Sequence, residues 1–374
     1  MKKMFLFSGL LIVTLYACKK SNDINNGGTN PPPPPPPPVS TTFIGKGGIY
    51  YLGNADVPLS NNAYTNPSLA GAVVRLKWEN LETAPDVFNW SYIDGELAKA
   101  KANNKKISIA PLGYPSWVIT TLGAASYRYI DKNQNHPTYL DTLNDVITWD
   151  DIYLNRVKNL ITKLSERYAN DTTVSYLNLV AGNISRGFPD TVITTTGPKT
   201  FWTVFPYNAD TVVAKMKPLL DWYMQKFPKT PLWSSVDYVS FESKASGRAN
   251  NYLTSQYVAY GVATYPDRFG CWREDIAACN PQPNVQNTSQ WYVMGQNPTR
   301  TGAQMLWNVQ DGPTRMNKCG ILPNTKQVVL DSSINNGLRL GMRYFEVYAA
   351  DINDATLTTN IANYNTILKA KYAY

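Results

Sequence analysis

Glu346 lies in the run Tyr344-Phe345-Glu346-Val347-Tyr348, an acid set into an otherwise aromatic and aliphatic stretch of strand type. A charge in such a run is costly to bury unless it is paired or used. Two readings follow. It is a catalytic base or nucleophile, or it is a structural acid paired with Arg343 or Arg75 or hydrogen-bonded by the flanking tyrosines. Other carboxylates also sit where apolar runs end: Glu274 beside Trp272 and Arg273, Asp311 ahead of Gly312-Pro313, and Asp190 after Pro189. Each is a candidate second acid. Against that, Glu274 has an ion pair with Arg273 available, Asp311 can start a turn, and Asp190 can be an ordinary loop residue. Arg75, inside an apolar run, fixes a buried acid or binds substrate. Trp78, Tyr114, Trp117 and Trp307 lie at run ends, where stacking on a flat ligand and plain packing are both open.

Other chemistries are poorly served. The chain has one histidine, His136, in a polar loop, and no Cys-x-x-Cys, so no zinc or other metal site is expected. It has no Gly-x-Ser-x-Gly for a serine triad, and no organic cofactor is indicated. The net charge of +8 is spread over a sequence with only 17% charged residues and no long basic block, which argues against nucleic acid.

The elements that must position these residues alternate regularly. Apolar runs at 47–52, 72–78, 106–111, 174–181, 232–236, 269–272, 303–309 and 344–348 predict strands. Helical spacing over 150–168, 210–227, 248–265, 289–295, 326–340 and 356–372 predicts helices between and after them. Near-continuous apolar strands separated by helices indicate a parallel sheet. Eight such units indicate one closed (β/α)8 TIM barrel over residues 42–374, with its working groups at the C-terminal ends of the strands.

The N-terminal segment is of another kind. Lys2 and Lys3 precede an apolar core from Met4 to Tyr16, and Leu15-Tyr16-Ala17-Cys18 matches a bacterial lipoprotein cleavage box. Residues 1–17 then form a signal peptide and Cys18 is the lipid attachment site. Lys19, in place of an aspartate, points to an outer-membrane protein facing the periplasm or the cell exterior. Residues 18–41 contain eight consecutive prolines, Pro31 to Pro38. Such a run is a stiff polyproline rod of roughly 25 Å, a spacer between membrane and domain. An exported domain permits a disulfide. Cys279 and Cys319 lie in polar, loop-like segments while Cys271 lies in an apolar run, so Cys279–Cys319 is the expected bridge.

The stretch VVRLKWENLETAPDVFNWSYID, from Val73 to Asp94, resembles the opening of glycoside hydrolases of the β-galactosidase/cellulase superfamily, the clan A type barrels. PLGYPSWV, the segment from YLDTLNDV to RYANDTTVSYLNL, and the final YFEVYAADI are similar to the same enzymes. The resemblance is strongest between Gly47 and Ala181. It implies a barrel that hydrolyses glycosidic bonds of an extracellular or periplasmic polysaccharide or oligosaccharide with two carboxylic acids. It also implies that Tyr114 and Trp117 face substrate. In the superfamily an Asn-Glu pair ends strand four; here Asn183 matches the asparagine, but Ile184 replaces the glutamate. Near strand seven the chain reads Gln310-Asp311 with no glutamate. The resemblance therefore leaves Glu346 as one acid, with Glu274, Asp311 or Asp190 as its partner. Trp78, Tyr114, Trp117, Asn183, Trp307 and Arg75 are the expected substrate contacts, and a monomer is expected. The alternative reading is a carbohydrate-binding lipoprotein without catalysis, built on a degenerate hydrolase barrel.

Overall fold

A computed structural model describes residues 43–130, 138–179, 208–236, 248–249 and 251–372, all within one compact unit, Val39–Tyr374. Strands β1 (Gly48–Leu52), β2 (Gly71–Lys77), β3 (Lys106–Leu112), β4 (Val174–Leu179), β5 (Leu232–Ser235), β6 (Phe269–Ile276), β7 (Thr301–Met305) and β8 (Met342–Tyr348) form one closed barrel in chain order. Every neighbouring pair is parallel, and β1 closes the ring on β8 with Tyr50 opposite Glu346. Helices α1 (Asn62–Thr65), α2 (Ser91–Ala102), α3 (Asp151–Tyr168), α4 (Ala209–Lys226), α5 (Tyr252–Thr264), α6 (Gln290–Gly295), α7 (Lys326–Arg339) and α8 (Thr358–Lys371) follow the strands in turn. This is the expected (β/α)8 barrel.

The local causes are visible in α3. Asp150 caps it, accepting from the amides of Ile152 and Tyr153, and Tyr153, Val157, Leu160, Ile161 and Leu164 bury one face at helical spacing. Within the strands, residues of one parity pack outward against the helices. Those of the other parity fill the lumen, where Tyr50, Val73, Tyr176, Trp233, Trp272 and Tyr344 form a separate apolar cluster. Its large rings need room on the neighbouring strands. A Cβ at Gly270 would stand 2.4 Å from the Trp233 ring, which is why a glycine lies there. Phe43 packs on Trp233 at 5.4 Å between ring centroids and closes the N-terminal mouth.

The ends of two strands differ most from the sequence reading, and two short hairpins are added to it. β6 runs on to Ile276 because a bulge between Arg273 and Ile276, with Asp275 at φ 82°, lets it keep pairing with β7. β7 stops at Met305 rather than 309, since the amides of Val309 and Gln310 turn aside to bond Asp351. Two antiparallel hairpins, Glu82–Ala84 with Val87–Phe88 and Ser126–Ile130 with Thr142–Val146, sit in loops where no strand was predicted. Cys279 and Cys319 are joined in a disulfide between the segments after β6 and β7, and Cys271 is a buried thiol.

Candidate active site

The alternation of β8 turns Tyr344, Glu346 and Tyr348 into the lumen and leaves Phe345 and Val347 to the outer core. Glu346 is 1% exposed and lies between Tyr50 on β1 and Gln304 on β7. The Tyr344 hydroxyl donates to it at 2.9 Å. Burial pushes its carboxyl up to about 7, against the lowering effects of the Tyr344 bond, the charge of Arg75, and the nearby Trp272 and Asn178 side chains. The indole nitrogen of Trp272 and the amide oxygen of Asn178 are buried with no hydrogen-bond partner. Polar atoms in that state invite a ligand or a water.

Arg75, Asn178, Trp272, Glu274, Gln304 and Glu346 converge on one small cavity at the C-terminal end of the lumen, walled on one side by Ala110 and Leu112. Its free volume is about 10 Å³, room for one water. Glu274 enters it from β6, two residues beyond Trp272 and on the same face. The second carboxylate in the cavity is therefore Glu274. Its charge also reaches Tyr348, whose pKa is raised by burial first and by the two glutamates in part. Gln304 donates to the Tyr348 hydroxyl at 3.1 Å. Arg273, on the other face of β6, pairs with Asp275 at 3.2 Å and lies over Trp291. Arg75 points into the cavity from β2, and its guanidinium makes no hydrogen bond or ion pair with a described residue. Arg343, the other candidate partner of Glu346, is at the opposite mouth, donating to the Phe43 carbonyl at 3.0 Å.

The expected aromatic contacts divide. Trp307 stands at the rim, 37% exposed, with Tyr348 at 5.9 Å and the Arg315 guanidinium at 4.1 Å. Trp78 does not reach the cavity: it begins a short helix after β2, is fully buried, and donates to Glu82 at 2.8 Å. The Trp117 indole donates to the Glu82 carbonyl at 3.2 Å beneath Arg156. Tyr114 donates to Asp145 at 2.8 Å and meets Tyr153 edge-on. These three side chains knit the loops after β2 and β3 together. Asp311 is exposed in a turn, its amide bonded to Asn308 at 2.7 Å, and it lines no cavity with Glu346. Asn183, Ile184, Asp190, His136 and the Cys18 segment lie outside the described residues. Among the described residues, no cluster of histidine, cysteine and acid side chains could hold a metal.

Sequence reasoning missed Asn178, Trp272 and Gln304 as cavity residues, although each is separated by an even step from another lumen residue on its strand. It also missed Asp351. This aspartate is fully buried just after β8 and accepts from the amides of Val309 at 3.0 Å and Gln310 at 2.9 Å. Burial outweighs those bonds and, with Asp354 and Asp311 nearby, pushes its carboxyl up to about 6. It fixes the loop that carries Trp307.

No protein-family model matches the sequence, and no curated protein matches it. Solved structures do resemble it. The catalytic domain of a β-amylase from Paenibacillus polymyxa aligns with a TM-score of 0.50 at 9% identity, over 88% of this chain and 98% of that one. A β-glucanase from Saccharophagus degradans aligns at 0.46 and 14% identity, over 87% and 88%. A psychrophilic family 10 endo-β-1,4-xylanase aligns at 0.44 and 11%, over 83% and 89%. The first likeness shows a shared (β/α)8 barrel fold; the other two are too distant to add to it.

Proposed function

We propose that this protein is a glycoside hydrolase in which Glu346 and Glu274 are the two working carboxyls. The observation that carries this reading is their meeting in one cavity at the C-terminal mouth, with Glu346 pushed up to about 7. A carboxylic acid near that value is still protonated in a useful fraction at neutral pH and can serve as a general acid. Glu346 would pass its proton to the glycosidic oxygen as the bond to the anomeric carbon breaks. Glu274, ionised, would meet the developing positive charge there, either attacking the carbon or drawing a proton from the attacking water. Arg75, Asn178, Trp272 and Gln304 supply hydrogen-bonding groups for sugar hydroxyls, and Trp307 with Tyr348 supplies a stacking ledge. Because the well holds only about one water, a sugar ring enters it only if lining side chains such as Glu274 and Gln304 move.

That narrowness is also the observation that weighs for the alternative, a binding barrel in which glycan rests on Trp307 and never reaches Glu346. Release of reducing sugar from a glycan panel separates the two. Glu346→Gln should lower turnover on the responsive glycan by about 10²–10⁴, the usual worth of a general acid, and Glu274→Gln should lower it comparably. Activity that survives Glu346→Gln unchanged sinks the catalytic assignment. Binding of glycan without release of sugar by the native chain establishes the alternative.

The Lys2-Lys3 start, the apolar core and Cys18 support a lipid-anchored chain at the outer membrane, acting on polysaccharide in the periplasm or outside the cell. Metabolic labelling with a radioactive fatty acid should mark the protein and fail to mark Cys18→Ser. Retained label in that variant would overturn the anchor.

A further inference from the structure

The outer side of the barrel carries a cleft of about 580 Å³, lined by Asp86, Phe88, Trp90, Lys163, Glu166 and Arg167. None of these residues lines the cavity around Glu346. One wall is the hairpin after β2 with the residues that lead from it into α2, and the other is the C-terminal part of α3. The hairpin is held firmly. The Asp86 amide donates to Glu82 at 2.9 Å, and the Asp86 carboxylate accepts from Arg156 at 3.2 Å and Asn159 at 2.7 Å.

Phe88 and Trp90 stack with their ring centroids 5.0 Å apart and their planes 6° from parallel, and both are only half-buried. Packing explains part of this arrangement. Trp90 meets Tyr168 edge-on at 5.8 Å and lies under the Arg167 guanidinium, which pairs with Asp94. It does not explain why two large rings line an open cleft beside Val87, itself 55% exposed. Single exposed apolar residues are ordinary, whereas adjoining ones in a concave site point to a ligand. The polar lining is of a particular kind. Two acids, Asp86 and Glu166, stand with two bases, Lys163 and Arg167, so the charges cancel. Lys163 donates to Glu166 at 3.0 Å, yet both side chains reach solvent. An ammonium has three hydrogens and a carboxylate several acceptor positions, so each keeps capacity for a further bond.

We propose that this cleft is a second glycan-binding site, separate from the catalytic cavity. The lining chooses the chemistry. A sugar ring offers an apolar face that stacks on an aromatic ring, and hydroxyls that both donate and accept around its rim. Phe88 and Trp90 suit the first, and the mixed acid and base lining suits the second. A charged ligand is served poorly: an anion drawn to Lys163 meets Glu166 beside it, and a cation meets the reverse. Rings and hairpin already fixed in place lower the entropy that binding costs. The cleft also offers what the catalytic cavity lacks. A well with room for about one water gives a polymer little to hold, and a flank site that tethers the chain raises the effective concentration of its bonds near the mouth. That the glycan is the polymer cleaved at Glu346 rests on the hydrolase reading; binding at the cleft does not.

The test is affinity electrophoresis of the full chain through gels containing laminarin, arabinoxylan or a pectic galactan. Retardation by at least one of them is expected. Phe88→Ala should weaken that affinity about tenfold, the loss typical of one well-engaged aromatic anchor. Lys163→Ala/Glu166→Ala alters only side chains that reach solvent, so it keeps the test open should Phe88→Ala fold poorly. It should weaken the affinity about threefold with the thermal midpoint unchanged. Neither variant should change kcat/KM on a short oligosaccharide of the glycan that responds. Retardation that depends on the cleft in a chain that cleaves no glycan keeps the site and removes the hydrolase reading. If no gel retards the chain, or retardation ignores both variants, the cleft is not a glycan site, whatever the chain cleaves.

Discussion

Two of the glutamates that follow or occupy barrel strands are removed from water. Glu82, beyond β2, is 0% exposed; Glu346, in β8, is 1% exposed. Their surroundings are opposite. Glu82 accepts from the Trp78 indole at 2.8 Å, from the Asp86 amide at 2.9 Å and from Arg156, whose guanidinium engages both carboxylate oxygens. Glu346 accepts one good hydrogen bond, from Tyr344, and its neighbours Trp272 and Asn178 have polar atoms still unfilled. Burial alone therefore says little about role. An acid whose lone pairs are filled and whose charge is met is part of the scaffold. An acid whose burial outweighs the groups that would hold its charge, beside polar atoms still unfilled, is placed for something that comes from outside.

The contrast breaks or sharpens at four points. The largest effect belongs to Glu346→Gln, which should lower turnover by about 10²–10⁴ while the thermal midpoint holds or rises at pH 8. A large loss of stability with activity intact would reverse the two roles. Arg156→Met should cost about 3–5 kcal/mol in urea unfolding, because it strands the Glu82 charge in the interior. A loss near zero would mean that Glu82 is not held by its ion pair.

The pH dependence comes next. The folded-state value of Glu346, about 7, lies above its ordinary 4.5. The protonated acid is thus the form favoured by folding. Its contribution to stability is complete below pH 4.5 and is lost as pH rises through about 7. The shift corresponds to about 3 kcal/mol. The difference between wild type and Glu346→Gln should follow that window, separately from Asp351, whose carboxyl moves from 3.8 to about 6 and gives its own loss over that lower range. A pH-independent difference would remove the raised value from the argument. The smallest effect is expected of Asp351→Asn, which leaves one of the Val309 and Gln310 amides without an acceptor at a cost of about 1–2 kcal/mol. No change in the urea midpoint would show that the loop bearing Trp307 is held by other means.

Much of this was readable from residue order. The apolar runs and their spacing specified eight strands and the closure of the ring. The acid inside Tyr344–Tyr348 stood out because nothing else in that run is polar in the same way. What could not be read was stagger. Asn178, Trp272 and Gln304 reach the same cavity from β4, β6 and β7, and which positions share a level depends on the shear of the barrel, not on any one strand's pattern. Trp78 misled for a related reason: it follows β2 directly, but a helical turn begins there and takes it out of the strand's alternation. The early end of β7 depends on Asp351, 42 positions further along the chain, which no local window contains.

Closure of the ring by β1 and β8 has a further consequence, for how the protein comes into being. Arg343 meets the Phe43 carbonyl across 300 positions of sequence, so the barrel's final seam joins nearly the first and the last of its residues. Contacts so distant in sequence form late and slowly, because the entropy of closing the chain must be met before they return anything. Until then Glu346 belongs to an open edge strand and stays ionised in water. A nascent chain emerging in order from N to C terminus can assemble most of the scaffold and still have no acid of unusual strength. The chemical character of that one carboxyl is acquired at the last step of folding, and a chain cut short before residue 342 never acquires it.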